Sequence, residues 1–310
     1  MGQEKHMKVC ILEDYNQEGS GKHKFLNRLV KCFRKNGVKI VENNADVLLH
    51  IGRDYKKINT KKIVMRIDGI ILNTSVAYDK NNKKILKYIS KSDAVIYQGD
   101  FCKSACEKFL GVNKKNICIH NGADPNEFLR RDIKNYYLTC CKWRPHKRLR
   151  NICNGFIEAC NNGLDSVLYV GGKVEDRDKI KHPDIKYIGW KSTLEMKKYF
   201  AGAIATIHLS WLDWCPNAMV ESIVAGCPII YSDSGGSPEI GKFGGISIRD
   251  VQWNFKPLKL YDPPILNLKE LSDALFYVKN NGVEVNGKDL HIDNIAKQYI
   301  GFFERVLNEQ

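Results

Sequence analysis

Asp213 and Glu221 stand with seven residues between them, on either side of a Cys215-Pro216-Asn217 turn. Pro suits a first helical position, so a short helix should begin near Pro216 and leave the backbone N–H groups of Asn217, Ala218 and Met219 pointing outward. Such amides suit an anion, here phosphate or sugar oxygens. Glu221, a turn and a half further on, should look back to the same place. A second group of chemically able residues is Lys142, Arg144 and Lys147, in a segment that passes from a strand into a helix. Lysines five apart across such a turn can face one cleft, where their charge would neutralise a diphosphate as it leaves; a solvated basic turn is the alternative. Gly19, Ser20 and Gly21 form a third group, ahead of another helix, where small residues let the backbone approach a phosphate. They are not a P-loop, because His23 follows Lys22 and Asn16 stands where the first glycine is required.

The elements that must hold these groups alternate between strand and helix, which argues for parallel sheets covered by helices. Strands are expected at Lys8–Glu13, Val38–Val41, Asp46–Ile51, Lys62–Ile67, Ala94–Tyr97 and Ile117–His120, with helices at Lys22–Lys35, Asp79–Lys91 and Phe101–Leu110. A second set follows: strands at Tyr136–Cys140, Val167–Val170, Lys186–Ile188, Ala205–His208 and Pro228–Tyr231, a helix at Lys147–Cys160, and the helix bearing Glu221. The division is one domain over 1–130, a second over 131–291, and a last helix, 292–310, whose apolar residues Ile295, Tyr299, Phe303 and Val306 suit packing back on the first. Open parallel sheets bind ligands at the carboxyl ends of their strands, so the chemistry is expected in a cleft between the two domains.

Composition narrows the class. The 310 residues suffice for two cores, and 43% hydrophobic content suits a soluble globular protein. No apolar run reaches membrane-spanning length, the N-terminus lacks the apolar core of a signal peptide, and His6 breaks a myristoylation pattern. Eleven cysteines without a Cys-x-x-Cys pair read as reduced core residues, which points to the cytoplasm. The net charge of +14 is concentrated in residues 1–130, with 25 Lys and Arg against 14 Asp and Glu. Lys80, Lys83, Lys84 and Lys87 have the spacing of one solvated helix face, without the aromatics of a nucleic-acid binder, so no nucleic-acid partner is expected. An anionic membrane surface, contacted peripherally, suits the same charge.

The block from Ser210 to Ile240 resembles the donor-binding motif of the retaining family-4 glycosyltransferases, which have the glycosyltransferase-B (GT-B) fold. That motif reads Glu, seven residues, Glu, a small-residue helix, Gly-x-Pro, a strand, Asp-x-Gly-Gly and Pro-Glu. Glu221, Gly226, Pro228, Asp233, Gly235, Gly236, Pro238 and Glu239 match in order, and Asp213 replaces the first Glu. The family's Arg, four residues, Lys is similar to Lys142 and Lys147, with Arg144 able to supply the lost bidentate donor. His120-Asn121-Gly122-Ala123-Asp124 resembles the family's junction segment, with Asn-Gly making the turn. Gly189-Trp190 matches a turn whose backbone meets the nucleobase; Trp190 either stacks on that base or packs at a strand end. Where the family often has a His near the reacting sugar, Arg66-Ile67-Asp68-Gly69 offers Asp68, which either touches sugar or acceptor or caps the next turn.

The resemblance implies an α/β chain of two Rossmann-like doubly wound domains (GT-B fold) facing across a cleft. It implies retaining transfer of a hexosyl or pentosyl group from a nucleotide-diphosphate sugar, UDP rather than GDP, to a glycan, lipid-linked or other hydroxyl acceptor near the basic N-terminal domain. No cofactor and no metal are expected; the Asp176-Arg177-Asp178 pair sits in a charged loop. By the same resemblance Glu221 holds ribose hydroxyls, Asp213 sugar hydroxyls, and Lys142 and Lys147 the diphosphate, with help from Gly19–Gly21. The alternatives are a non-catalytic sugar-nucleotide or glycan-binding protein and a sugar-nucleotide epimerase of the same architecture.

Overall fold

The computed structural model describes residues 6–13, 15, 21–51 and 58–309. The chain divides into two compact units, Met1–Ala123 with Leu290–Gln310, and Asp124–Asp289. The sequence suggests a division after residue 130; the chain passes between units at Ala123 and returns at Leu290.

The first unit contains β1 (Lys8–Ile11), α1 (Gly21–Lys35), β2 (Lys39–Ile40), β3 (Ala45–Ile51), β4 (Thr60–Ile67), α2 (Tyr78–Lys91), β5 (Ala94–Tyr97), α3 (Asp100–Leu110) and β6 (Asn116–Cys118). All pairings in its sheet are parallel, in the order β2-β1-β3-β4-β5-β6. β5 (AVIY) is buried along its whole length, as a central parallel strand covered on both faces must be. The α2 lysines 80, 83, 84 and 87 are exposed, opposite the buried Ile85 and Ile89.

The second unit contains β7 (Tyr136–Cys140), α4 (Leu149–Asn161), β8 (Val167–Gly171), β9 (Ile185–Gly189), α5 (Thr193–Gly202), β10 (Thr206–His208), α6 (Asn217–Val224), β11 (Ile229–Ser232), α7 (Ser237–Gly241), β12 (Gly245–Ile248) and α8 (Leu268–Asn281). Its sheet is again parallel, in the order β12-β11-β10-β7-β8-β9. The doubly wound α/β class is therefore present in both units. α5 and α8 were not anticipated, although each carries a start signal. Ser192 and Glu195 form a reciprocal capping box for α5, and the Asn267 side chain accepts from the Lys269 amide to cap α8.

The last helix, α9 (Ile292–Asn308), belongs to the first unit. Tyr299 lies 6.4 Å from Phe25 and 6.2 Å from Phe33, and Phe303 lies 6.0 Å from Phe33, ring centre to ring centre. Burying each such side chain contributes roughly 1.5–3 kcal/mol. The chain ahead of α9 is also pinned, since Ala123 N–H donates to Leu290 O (3.0 Å) and Ile292 N–H to Ala123 O (2.9 Å). This explains Gly122 better than a turn does. A Cβ there would stand 2.8 Å from Ile295 Cγ1 and 3.1 Å from Leu290 O, so glycine is needed for close approach.

Candidate functional site

The carboxyl end of β7 leads through Cys141, Lys142, Trp143 and Arg144 into a 3-10 turn, Pro145–Lys147, before α4 begins. A helix was expected from Lys147. It starts at Leu149 instead, because Arg148 adopts the left-handed conformation (φ 56°), which ends one turn and redirects the chain into the next element. Side-chain bonding holds Arg148 there. Its guanidinium donates to both oxygens of Asp250 (2.6 and 3.0 Å) and to the carbonyls of Leu209 (3.3 Å) and Pro264 (2.9 Å). Ser232 Oγ completes the Asp250 carboxylate at 2.5 Å. Both charged side chains are fully buried, and the planar fork matches the carboxylate bidentately. Sequence reading missed this pair, because Asp250 lies 102 positions away.

The turn that Arg148 anchors delivers Lys147. Its Nζ is 2.5 Å from Asp213 Oδ2, and His208 Nε2 reaches the same oxygen at 3.1 Å. Asp213 Oδ1 accepts the Trp214 amide at 2.9 Å. The side chains of Lys147, Asp213 and His208 are 16%, 18% and 7% exposed. Burial opposes ionisation of Asp213, but the Lys147 charge and the His208 hydrogen bond outweigh it, and the carboxyl is held well below the usual carboxylate range. Burial pushes His208 down from its ordinary value despite the adjacent carboxylate. His146, buried beside Lys147 and stacked on Tyr261 at 5.5 Å, is pushed down to about 3, first by burial and then by the Lys147 charge.

Asp213 is placed by an unusual backbone. Leu212 has φ 54°, and the Gly235-Gly236 turn after β11 lies directly against Leu212–Trp214. A Cβ on Gly235 would stand 2.6 Å from Asp213 O, and one on Gly236 1.9 Å from Trp214 O. Gly236 N–H donates to Asp213 O at 2.7 Å. The Asp-x-Gly-Gly pattern therefore supplies the bare surface against which the loop carrying Asp213 is pressed. Trp211 N–H donates to His146 O (2.8 Å), tying that loop to the basic turn.

Pro216 stands at the N-cap of α6, and Asn217, four residues beyond Asp213, opens it. The Met219 amide already donates to Pro216 O at 3.0 Å, which corrects the expectation that it points outward for a ligand. Glu221 is half-buried and lies one turn after Asn217 on the same face. Ser222, beside it, ties α6 to the sheet by bonding Thr206 Oγ1 (2.7 Å) and Cys227 O (2.9 Å).

Lys142 and Arg144 are exposed on the basic turn. Gly189 ends β9 and Trp190 follows it 71% exposed, so it is not packing at the strand end. Gly21 opens α1, whereas Gly19 and Ser20 lie outside the described residues. Asp68 lies in the first unit, beyond the end of β4. Its Oδ1 accepts from Gln98 (2.8 Å) and pairs with the buried Arg66. Arg66 also bonds Asn121 (2.5 Å) and lies over the Phe25 ring at 4.5 Å. Asp176 pairs with Lys179 at 2.7 Å on the surface. Among the described residues, no group of three or more His, Cys, Asp and Glu is placed to hold a metal, and no helix is long and apolar enough to cross a membrane.

No protein-family model matches this chain, and no curated protein matches it in sequence. Solved structures do match. The chain is similar to sucrose-phosphate synthase from Thermosynechococcus elongatus, with TM-score 0.69 and 10% identity over 97% of this chain and 99% of that one. It is similar to HepE from Anabaena in complex with UDP and glucose (TM-score 0.62, 13% identity, 97% of this chain and all of that one). It is also similar to WaaG, a glycosyltransferase involved in lipopolysaccharide biosynthesis (TM-score 0.63, 10% identity, 97% and 99%). At such identities the likeness is one of fold: two Rossmann-like α/β domains, the architecture of GT-B glycosyltransferases.

Proposed function

We propose that the chain is a glycosyltransferase that takes its sugar from a nucleotide-diphosphate donor and retains the anomeric configuration. The observation that carries the reading is the meeting of Lys147 and Asp213 four residues ahead of α6, in a fold shared with sugar-transferring proteins. HepE has been solved with UDP and glucose and with UDP-glucose, which favours UDP over GDP here. Lys147, with the exposed Lys142 and Arg144, stabilises the diphosphate as it leaves. Glu221 accepts hydrogen bonds from the ribose hydroxyls, Asp213 from a sugar hydroxyl, and the exposed Trp190 stacks on the base. The α6 amides of Asn217 and Ala218 contribute N–H groups to the phosphates. The bond from the anomeric carbon to the diphosphate breaks, the acceptor oxygen bonds that carbon on the same face, and its proton passes to the departing phosphate oxygen. The chain's own cations, rather than a metal, carry the charge. The acceptor, a glycan, a lipid-linked sugar or another hydroxyl compound, meets the basic first unit, whose α2 lysines also suit an anionic membrane surface.

A thermal-shift series with UDP, GDP, CMP and their common sugar conjugates tests the reading, because a ligand of the native state raises its stability with occupancy. Stabilisation by one nucleotide class, lost in Glu221→Ala, supports it; no stabilisation by any conjugate overturns it. A non-catalytic sugar-nucleotide binder is the second reading, favoured by the engagement of both Asp213 oxygens within the protein. Release of free or transferred sugar from the stabilising conjugate separates the two.

A further inference from the structure

Two groups able to carry a positive charge converge on one oxygen, Asp213 Oδ2: the Lys147 ammonium at 2.5 Å and the His208 imidazole at 3.1 Å. An ionised carboxylate only accepts, so His208 donates through Nε2–H, and in the neutral ring Nδ1 carries no proton. The resting cluster is then one cation, one anion and one neutral imidazole, all largely buried. Lys147 cannot serve a diphosphate and Asp213 at full strength together. If it turns to the phosphates, Asp213 is left as a buried anion without a cation, an arrangement that is strongly unfavourable.

We propose that His208 replaces Lys147: as the diphosphate draws Lys147 away from Asp213, His208 takes up one proton and becomes the cation that Asp213 requires. The inference rests on the nucleotide-sugar reading above. His208 is thus a positioning residue, acting on the donor through Asp213 and Lys147. Burial first and the Lys147 charge last hold His208 down while the Asp213 carboxylate raises it, so withdrawal of Lys147 removes one of the two influences that keep the ring neutral.

The titratable and charged groups around His208 come from the basic turn, β7, β11 and α6. The basic turn brings Arg144 and His146, and His146 is held neutral down to about pH 3 by burial and Lys147. Burial raises the Cys141 thiol at the end of β7, and it raises Tyr231, which pairs in register with His208 on β11. Cys140 lies at the end of β7 and Glu221 on α6, which packs against β10. Arg148 and Asp250 satisfy each other.

Calorimetric titration with UDP-glucose in buffers of differing ionisation heat counts the protons exchanged, and this donor has no phosphate that titrates near neutral pH. About one proton should be taken up by the wild-type protein in the window where His208 is neutral before binding and charged after it. Kd should then rise with pH, by at most about tenfold per unit. In His208→Gln, which keeps a donor to Asp213 but cannot charge, uptake should vanish and Kd should lose that pH dependence. Binding without proton uptake, or uptake that persists in His208→Gln, overturns the inference and leaves the donor reading standing. If UDP-glucose and the other common nucleotide sugars all fail to bind, the donor reading falls and takes the inference with it. The exchange can also be read without ligand. In Lys147→Ala, histidine-labelled protein should show one of the eight imidazole signals moved to the imidazolium position at pH 7. A spectrum in which none has moved overturns the inference independently of any donor.

Discussion

Arg148 and Asp250 form a fully buried, two-bond ion pair at the point where the basic turn becomes helix α4. The pair decides where Lys147 stands, because Arg148 is the next residue and its left-handed backbone sets the direction of the turn. Arg148→Ala leaves Asp250 buried without its cation, and urea denaturation should show a loss of about 3–5 kcal/mol. Arg148→Lys should recover only part of it, since an ammonium cannot make both parallel bonds.

Gly236 cannot accept a side chain while Trp214 O lies 1.9 Å from where its Cβ would be. Gly236→Ala should cost about 1–3 kcal/mol and should abolish stabilisation by the nucleotide sugar, because the displaced loop carries Asp213. Gly111→Ala is the comparison. It has the left-handed φ of 68° but nothing within 4 Å of a Cβ, so it should cost about 1–2 kcal/mol and keep the ligand shift.

His146 makes stability fall in mild acid. Its folded value is pushed down to about 3 from an ordinary 6.5. Between those values the unfolded chain binds the proton and the folded one does not. Stability is therefore intact above pH 6.5 and declines as pH falls, by up to about 1.4 kcal/mol per unit. His146→Phe preserves the stacking on Tyr261 and removes a ring nitrogen, Nδ1, that has no hydrogen-bond partner among the described residues. Between pH 7 and pH 5 the variant should lose about 2 kcal/mol less than wild type by denaturant titration. Equal losses would show that His146 does not resist protonation in the folded state.

Gly122→Ala forces a Cβ to 2.8 Å from Ile295 Cγ1, under the start of α9. About 1–3 kcal/mol of destabilisation is expected. Hydrogen exchange should quicken at the Ile292 amide, which bonds Ala123 O across that contact. Unchanged protection there would mean that the segment shifts at no cost.

The local signals in this chain were legible because they depend on neighbours in sequence. Alternation of β-branched runs with amphipathic stretches located most of the parallel strands and the helices α1, α2, α3, α4, α6 and α9, and the apolar face of α9 was readable from Ile295, Tyr299, Phe303 and Val306. Asp213, Glu221, Lys142 and Lys147 could be singled out by type and spacing. What spacing could not supply was partnership. His208 is an interior strand residue until Asp213 folds back upon it, and Arg148 looks like one more charge in a basic turn until Asp250 arrives from 102 residues away. Asp68 likewise gave no sign as sequence of its bonds to Arg66 and Gln98. The two glycines after Asp233 and the one at 122 read as turn residues, yet the backbone pressed against each explains its need. Backbone preference acts over a few residues and is written in the chain, whereas buried charge must be balanced by whatever groups the topology brings within hydrogen-bonding distance, and only the folded sheet determines those.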